Sequence, residues 1–356
     1  MVCVGGGVVL FELRGGELGV RLCGVTLRID AGVTAILGYS GAGKTSLLSV
    51  LAGFERPTAG CIERGEQSAG GALPCYWVPQ SGGLWSHVSV RGHVELVSAG
   101  KADEILRLFD LWDRRDSYPG ELSQGERSRL SVVRAVSAGA RVLLMDEPLA
   151  HVDPVRKPGY WRQLERQLRG CGVSLVFSCH EPGVVLRHAE RVVCLREGRV
   201  WYEGGVLELY ERAPEQALGE FLGPLNWLDE RLLGALGVCD GQLLEAVRRR
   251  GGVCVRPEWL CLRGVVESAG AVEQSGGVRS AVGGCVSGGW VSGGVLEVVS
   301  SRVAGGLQET VVAGAGGGEW RLLHGGAGGA GAGGAGVWRA GERVRAEVFV
   351  AEGGRI

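Results

Sequence analysis

Between Val2 and about Gly223, short runs of apolar and β-branched residues alternate with stretches whose apolar positions recur at helical spacing. Val33–Leu37, Val142–Met145, Ser174–Phe177 and Arg191–Leu195 read as strands, and three of the four are almost wholly apolar, as strands covered on both faces are. Ser46–Ala52 reads as a helix, and Ile105, Leu108, Phe109 and Trp112 share one face of another that starts near Lys101. This alternation predicts an α/β domain on a largely parallel sheet, with the Lys101–Trp112 helix in a small helical subdomain. After Gly223 the texture changes. Val, Gly and Arg dominate, strand-like runs such as Val253–Arg256 and Val344–Val350 recur, and the last helical pattern is Leu244–Arg250. The expected organisation is an α/β domain over 1–223, a linker over 224–250 and a small all-β domain over 251–356. The Gly-Ala runs at Ala313–Gly318 and Gly325–Gly336 have too little side chain for a core and are expected to be flexible loops.

Composition narrows this picture by exclusion. The 356 residues suffice for two cores, and a net charge of -1 with mixed signs gives no field to hold nucleic acid, so no nucleic-acid partner is expected. Eleven Cys without a CxxC pair fit small buried hydrophobes in a reducing cytosol better than a disulfide framework or a zinc site. The apolar stretch Val8–Phe11 is too short for a signal core and has no basic residues before it. No run approaches the roughly 18 apolar residues of a membrane span, so any membrane role needs a partner.

Lysine occurs only at Lys44, Lys101 and Lys157, which makes Lys44 conspicuous inside a Gly-rich loop. That loop, Gly38, Tyr39, Ser40, Gly41, Ala42, Gly43, Lys44, Thr45 and on into Ser46, follows a strand and opens a helix. Successive backbone N–H groups there, with the helix N-terminus, form an anion site that the glycines let phosphates approach. Lys44 would reach the outer phosphates of ATP and Thr45 would offer a hydroxyl to Mg²⁺. About a hundred residues on, the strand Arg141–Met145 ends in Asp146 and Glu147. Asp146 suits the Mg²⁺ shell, whereas Glu147, on the other side of the chain, suits polarising the water that attacks the γ-phosphate. These two features fit any P-loop NTPase, including kinases and GTPases.

The interval between them holds Glu121-Leu-Ser-Gln-Gly-Glu-Arg-Ser-Arg-Leu130, which resembles the ABC signature, usually LSGGQ, and runs into a helical stretch. The resemblance to ABC ATPases implies that Ser123 and Gly125, with Glu126 in the place of the usual Gln, bind the γ-phosphate of ATP held by the opposite subunit of a homodimer. It implies further that Gln80, in Tyr-Trp-Val-Pro-Gln80, is the glutamine of the loop that touches Mg²⁺ or the attacking water. Asp153 matches the loop that crosses the dimer seam, and His180 the switch histidine on the γ-phosphate. His87 lies in a stretch similar to importer ATPases, while His151 reads as a surface or interface side chain. Family members stack an aromatic on adenine from near Arg14 to Gly16; none stands there, and Phe11 is nearest.

Gly32–Ser46 is similar to molybdate importer ATPases, and Glu220–Asn226 and Arg256–Glu258 resemble junction and β-domain motifs of importers for molybdate, sulfate, iron(III), polyamines or sugars. The fold so implied is a P-loop ABC ATPase domain with a helical subdomain, followed by a small OB-like domain. The function so implied is ATP hydrolysis driving uptake of a small solute. Its implied partners are integral membrane permease subunits and an extracytoplasmic solute-binding protein, with the chain peripheral on the cytoplasmic face of the membrane. An exporter subunit and a soluble ABC ATPase are the alternatives, and the resemblance leaves the solute open. Because Lys44 supplies the mobile positive charge of the loop, Lys44→Ala is expected to weaken ATP binding and abolish hydrolysis with the fold intact. Wild-type turnover in the stringently purified variant would count against this site.

Overall fold

A computed structural model describes residues 8–65, 74–98, 102–231, 241–256, 260–263, 288–304, 307–313, 319–325 and 343–351. The chain divides into two compact units, Met1–Leu207 and Glu208–Ile356.

The first unit opens on the antiparallel strands β1 (Val9–Leu18) and β2 (Leu22–Asp30). In β2, Leu22, Val25, Leu27 and Ile29 are buried while Gly24, Thr26 and Arg28 face out, the period-two pattern of a sheet packed on one side. β3 (Val33–Gly38) leads into α1 (Lys44–Ala52), and β4 (Ala59–Arg64) returns to pair with β1. Then come β5 (Cys75–Val78), α2 (Val90–Glu95), α3 (Ala102–Leu108), α4 (Gln124–Ser137), β6 (Val142–Asp146), α5 (Lys157–Cys171), β7 (Ser174–Ser178), α6 (Pro182–His188), β8 (Arg191–Arg196) and β9 (Arg199–Gly205). The central sheet has the order β5-β6-β7-β3-β8-β9 and is parallel except for the edge pair β8 and β9. Every residue of β6 and β7 is buried, which explains why both read as continuous apolar runs. All four strands expected from the sequence lie in this sheet. Helix α5 buries Tyr160, Trp161, Leu164 and Leu168 at helical spacing.

The helix expected from Lys101 to Trp112 is shorter. It ends at Leu108, and Trp112 belongs to a separate 3₁₀ turn. Asp110 adopts φ 52°, a left-handed conformation that no helix continues through. Arg129 of α4 takes the freed carbonyls, donating to Phe109 O at 2.6 Å and Asp110 O at 3.0 Å. Trp112 is consequently not core: the Arg107 guanidinium lies 3.8 Å from its ring centroid.

In the second unit, α7 (Val206–Glu211), which spans the division, is followed by α8 (Gln216–Glu220), β10 (Asn226–Leu228), α9 (Gly241–Arg250) and β11 (Val253–Val255). β10 and β11 pair antiparallel, so the 224–250 stretch expected as a linker contains a strand and a helix. Beyond it, β12 (Leu260–Arg263), β13 (Gly288–Ala304), β14 (Leu307–Ala313), β15 (Glu319–Gly325) and β16 (Arg343–Ala351) form an antiparallel sheet in the order β12-β16-β13-β14-β15. Its edge strands β12 and β15 approach each other, as in a sheet curling toward closure. This is the small C-terminal β region that the composition predicted. Residues 314–318 and 326–336 of the Gly-Ala runs lie outside the described residues, as do Pro257 and Glu258. Among the described residues no helix is long and apolar enough to cross a membrane.

Arg256 holds the stretch around Gly223 within the second unit. Fully buried, it donates to Tyr210 O at 2.7 Å, Gly223 O at 2.9 Å, Pro224 O at 3.1 Å and Gly219 O at 3.1 Å, with its guanidinium 4.0 Å from the Tyr210 ring centroid. One cation thus ties residues 210–224 to the end of β11. Removing it strands several buried carbonyls, so Arg256→Met should destabilise the second unit by about 3 kcal/mol. Denaturant unfolding checks this; a change no larger than a surface substitution causes would show that the fork is dispensable.

Candidate active site

Chain geometry at the end of β3 is dictated by close approaches. A Cβ on Gly38 would lie 2.7 Å from Leu195 O and one on Gly43 2.6 Å from Arg21 O, and Gly41 and Gly43 have φ of 78° and 100°. Only glycine tolerates both demands at Gly43. The turn leaves Tyr39, Ser40, Gly41 and Thr45 exposed around the start of α1, with Ala42 and Ser46 buried beneath. Lys44 folds back over this loop, its Nζ donating to Gly38 O at 2.8 Å and Tyr39 O at 3.1 Å. An ammonium held by two neutral carbonyls within a ring of backbone donors is poised to exchange them for an anion.

Beside the loop, the end of β6 carries two carboxylates that face different partners. Asp146, buried, accepts from Thr45 Oγ1 at 2.6 Å on one oxygen and from Ser178 Oγ at 2.5 Å on the other. Ser178 also accepts the Glu147 N–H at 2.9 Å. Glu147 turns away: its Oε2 accepts from Gln80 Nε2 at 3.3 Å, and its Oε1 lies 3.2 Å from His180 Nδ1. The divergence comes from the backbone, since Glu147 and Leu149 take left-handed φ of 51° and 60° on either side of Pro148, a strained turn for non-glycine residues. Thr45, Asp146, Ser178, Glu147, Gln80 and His180 therefore form one connected set, with Gln80 and His180 solvent-exposed. Cys179, next to His180, is no nucleophile: burial pushes its thiol up to about 11.

Ser123, Gly125, Glu126 and Asp153 take no part in that set. Ser123 caps α4, its Oγ accepting from the Glu126 N–H at 3.2 Å while the Glu126 carboxylate accepts the Ser123 N–H at 2.8 Å. Gly125 packs so tightly on the loop after β6 that a Cβ would lie 3.0 Å from His151 O. Asp153 accepts from the Val155 and Arg156 N–H groups at 2.8 and 3.3 Å, ordering the entry to α5. His87 and His151 are exposed. Phe11 is only 2% exposed, within the core, and is not available to stack on a base.

Known proteins can be compared with this arrangement. Residues 22–150 match a family model described as ABC transporter. The Fe(3+) ions import ATP-binding protein FbpC of Pseudomonas fluorescens is 33% identical over 257 residues, which are 66% of this chain and 73% of that protein. The chain belongs to the ABC transporter family, among its ATP-binding subunits. The Molybdenum import ATP-binding protein ModC 1 of Azotobacter vinelandii is 37% identical to this ABC subunit over 216 residues, 54% of this chain and 60% of that one. A solved structure described as that of an ATP binding subunit of an ABC transporter has the same fold, with a TM-score of 0.50 at 24% identity over 56% of this chain and 92% of its own.

Two contacts of this ABC subunit were not read from the sequence. Ser178 is the hinge between Asp146 and Glu147, and its signal was a hydroxyl closing the buried strand β7. Lys157, buried at the start of α5, reaches Glu181 at 2.6 Å and so joins the loop of Asp153 to that of His180. Because Ser178 orients both carboxylates without reaching the loop around Lys44, Ser178→Ala should lower kcat for ATP hydrolysis roughly ten- to a hundredfold. Nucleotide affinity should hardly move. Steady-state ATPase assays beside nucleotide titrations check the split, and an unchanged kcat would remove Ser178 from the site.

Proposed function

We propose that this chain is the ATP-hydrolysing subunit of an importer, driving uptake of a small solute such as an oxyanion, iron(III) or a polyamine through a membrane permease. The observation that carries hydrolysis is Glu147, held between Gln80 and His180 while its neighbour Asp146 is occupied by Thr45 and Ser178. Two curated relatives named for import of iron(III) and of molybdenum support the direction of transport and the solute class. In this reading residues 1–223 are the ATPase domain and 251–356 a small β domain, with 224–250 between. The chain docks on the inner face of the membrane against permease subunits that also meet an extracytoplasmic solute-binding protein.

The loop Gly38–Ser46 binds the ATP phosphates through its backbone N–H groups, and Lys44 leaves its two carbonyls for the outer phosphates. The donor set of Thr45 hydroxyl, Asp146 carboxylate and Gln80 amide oxygen is all hard oxygen and suits Mg²⁺, which when bound would neutralise phosphate charge. Glu147 accepts a proton from the attacking water as the water oxygen bonds to the γ-phosphorus and the bond from that phosphorus to the bridging oxygen breaks, the electron pair leaving with ADP, while His180 steadies the γ-phosphate. The second wall of the site comes from a second copy of the chain: Ser123, Gly125 and Glu126 of one subunit face the nucleotide of the other, with Asp153 at the seam. The N-terminus of α4 brings a positive helix end to those phosphates.

Glu147→Gln keeps the size and hydrogen bonding of the side chain and removes the base. With Lys44, Thr45 and Asp146 intact, ATP should still bind, stay unhydrolysed and hold two subunits together. The variant is expected to elute as a dimer in saturating ATP and as a monomer without it, measured by size-exclusion chromatography with light scattering, with and without Mg²⁺. Normal turnover, or a monomer under every condition, would sink the mechanism.

A further inference from the structure

His93, on α2, is wholly buried and both of its ring nitrogens are committed. Its Nε2 accepts the backbone N–H of Trp85 at 2.9 Å, so its proton lies on Nδ1, 2.8 Å from Ser89 O. The fold thereby selects one neutral tautomer. The Trp85 ring stacks on this imidazole, with centroids 5.5 Å apart and planes 15° from parallel, and the Arg134 guanidinium lies 4.9 Å from the Trp85 ring centroid. Arg134 comes from α4. Its two terminal nitrogens donate to Gly83 O at 2.8 Å and Gly82 O at 3.0 Å. These are the residues that follow Gln80 and Ser81, and the Gly82 N–H closes a turn over Gln80 by donating to Pro79 O at 2.7 Å. Among the described residues Arg134 Nε has no hydrogen-bond partner, and this buried cation is spent on the two carbonyls and on aromatic faces.

We propose that His93 and Arg134 are positioning residues for Gln80, fixing through Trp85, Gly82 and Gly83 the turn that brings Gln80 to Glu147, and that the fixation requires an uncharged imidazole, so that acid releases this turn. The proposal rests on the reading of Gln80 and Glu147 as partners in hydrolysis. A protonated His93 would aim an Nε2–H at the Trp85 N–H, two donors 2.9 Å apart with no acceptor between them. The titratable and charged groups facing the ring are Arg134 from α4 and His87 from the preceding loop, with Tyr76 beyond Arg134. The acidic groups nearby, Glu95 on α2 and Asp103 on α3, are paired with Arg91 on the exposed side.

Burial, reinforced by Arg134 and His87 and opposed by the Ser89 carbonyl, lowers the pKa of His93 below its ordinary 6.5. A depressed value means that the unfolded or released segment binds the proton first. The stabilisation is therefore whole above pH 6.5 and is lost as pH falls through the lower value that His93 has in the fold.

The test uses the full chain, with His93→Gln as a non-titrating donor and acceptor and Arg134→Lys as a cation without the fork. By NMR, His93 should be the Nδ1–H tautomer with a midpoint below 6.5, and the Gln80, Gly82 and Gly83 amide signals should titrate with it and cease to do so in His93→Gln. In ATPase assays the wild-type kcat should fall roughly tenfold per pH unit below that midpoint. The acid limb of His93→Gln should move to lower pH. Arg134→Lys should lose roughly ten- to a hundredfold in kcat with little change in ATP affinity. An Nε2–H tautomer, a midpoint at or above 6.5, silent Gln80 signals or superimposable acid limbs would overturn the proposal. Absence of ATPase activity in the wild type at every pH would instead overturn the hydrolytic reading, leaving the NMR arms to judge the positioning.

Discussion

Asp146 carries a carboxylate at the end of a strand in which every residue is buried, and burying such a charge is costly unless hydrogen bonds satisfy it. Thr45 from the start of α1 and Ser178 from the end of β7 supply those bonds, so α1, β6 and β7 are pinned together at one end of the central sheet. The phosphate-binding loop, the carboxylate pair and the His180 loop inherit their relative positions from this one contact set. Glu147 faces away because it takes a left-handed conformation itself, as Leu149 does two residues on, and Ser178, by holding the Glu147 N–H as well, helps to keep it there.

Much of this was legible in the sequence because the strands of a sheet covered on both faces have no polar positions to confuse their boundaries. The phosphate loop was legible for a related reason: its glycines answer to steric demands that no other residue meets, and Lys44 stands out in a chain whose cations are almost all arginine. What escaped was long-range or conformational. Nothing in the periodicity of Ile105, Leu108, Phe109 and Trp112 reveals that Asp110 turns left-handed, since the carbonyls freed there are satisfied by Arg129, about twenty residues on. The role of Ser178 escaped because it depends on two partners about thirty residues earlier, Asp146 and Glu147.

The second unit illustrates the same point from the other side. The segments Glu220–Asn226 and Arg256–Glu258 were singled out separately by resemblance, and the structure joins them: Arg256 donates to the carbonyls of Gly223 and Pro224. A buried guanidinium satisfied by carbonyls rather than by a carboxylate is a geometric device, because its planar fork fits several acceptors at fixed angles where an ammonium would serve fewer. A domain edge drawn from composition alone falls at Gly223, in the middle of the acceptors.

Gly125 and the carbonyl of His151 share a single clearance, in which a Cβ would lie 3.0 Å from the oxygen. Gly125 lies in the first turn of α4, and His151 stands four residues beyond Glu147 in the loop that leads to Asp153. In evolutionary terms, these two segments cannot drift independently. A lineage that enlarges position 125 must shift the His151 carbonyl by a few tenths of an ångström, and one that moves that loop away relaxes the demand for glycine.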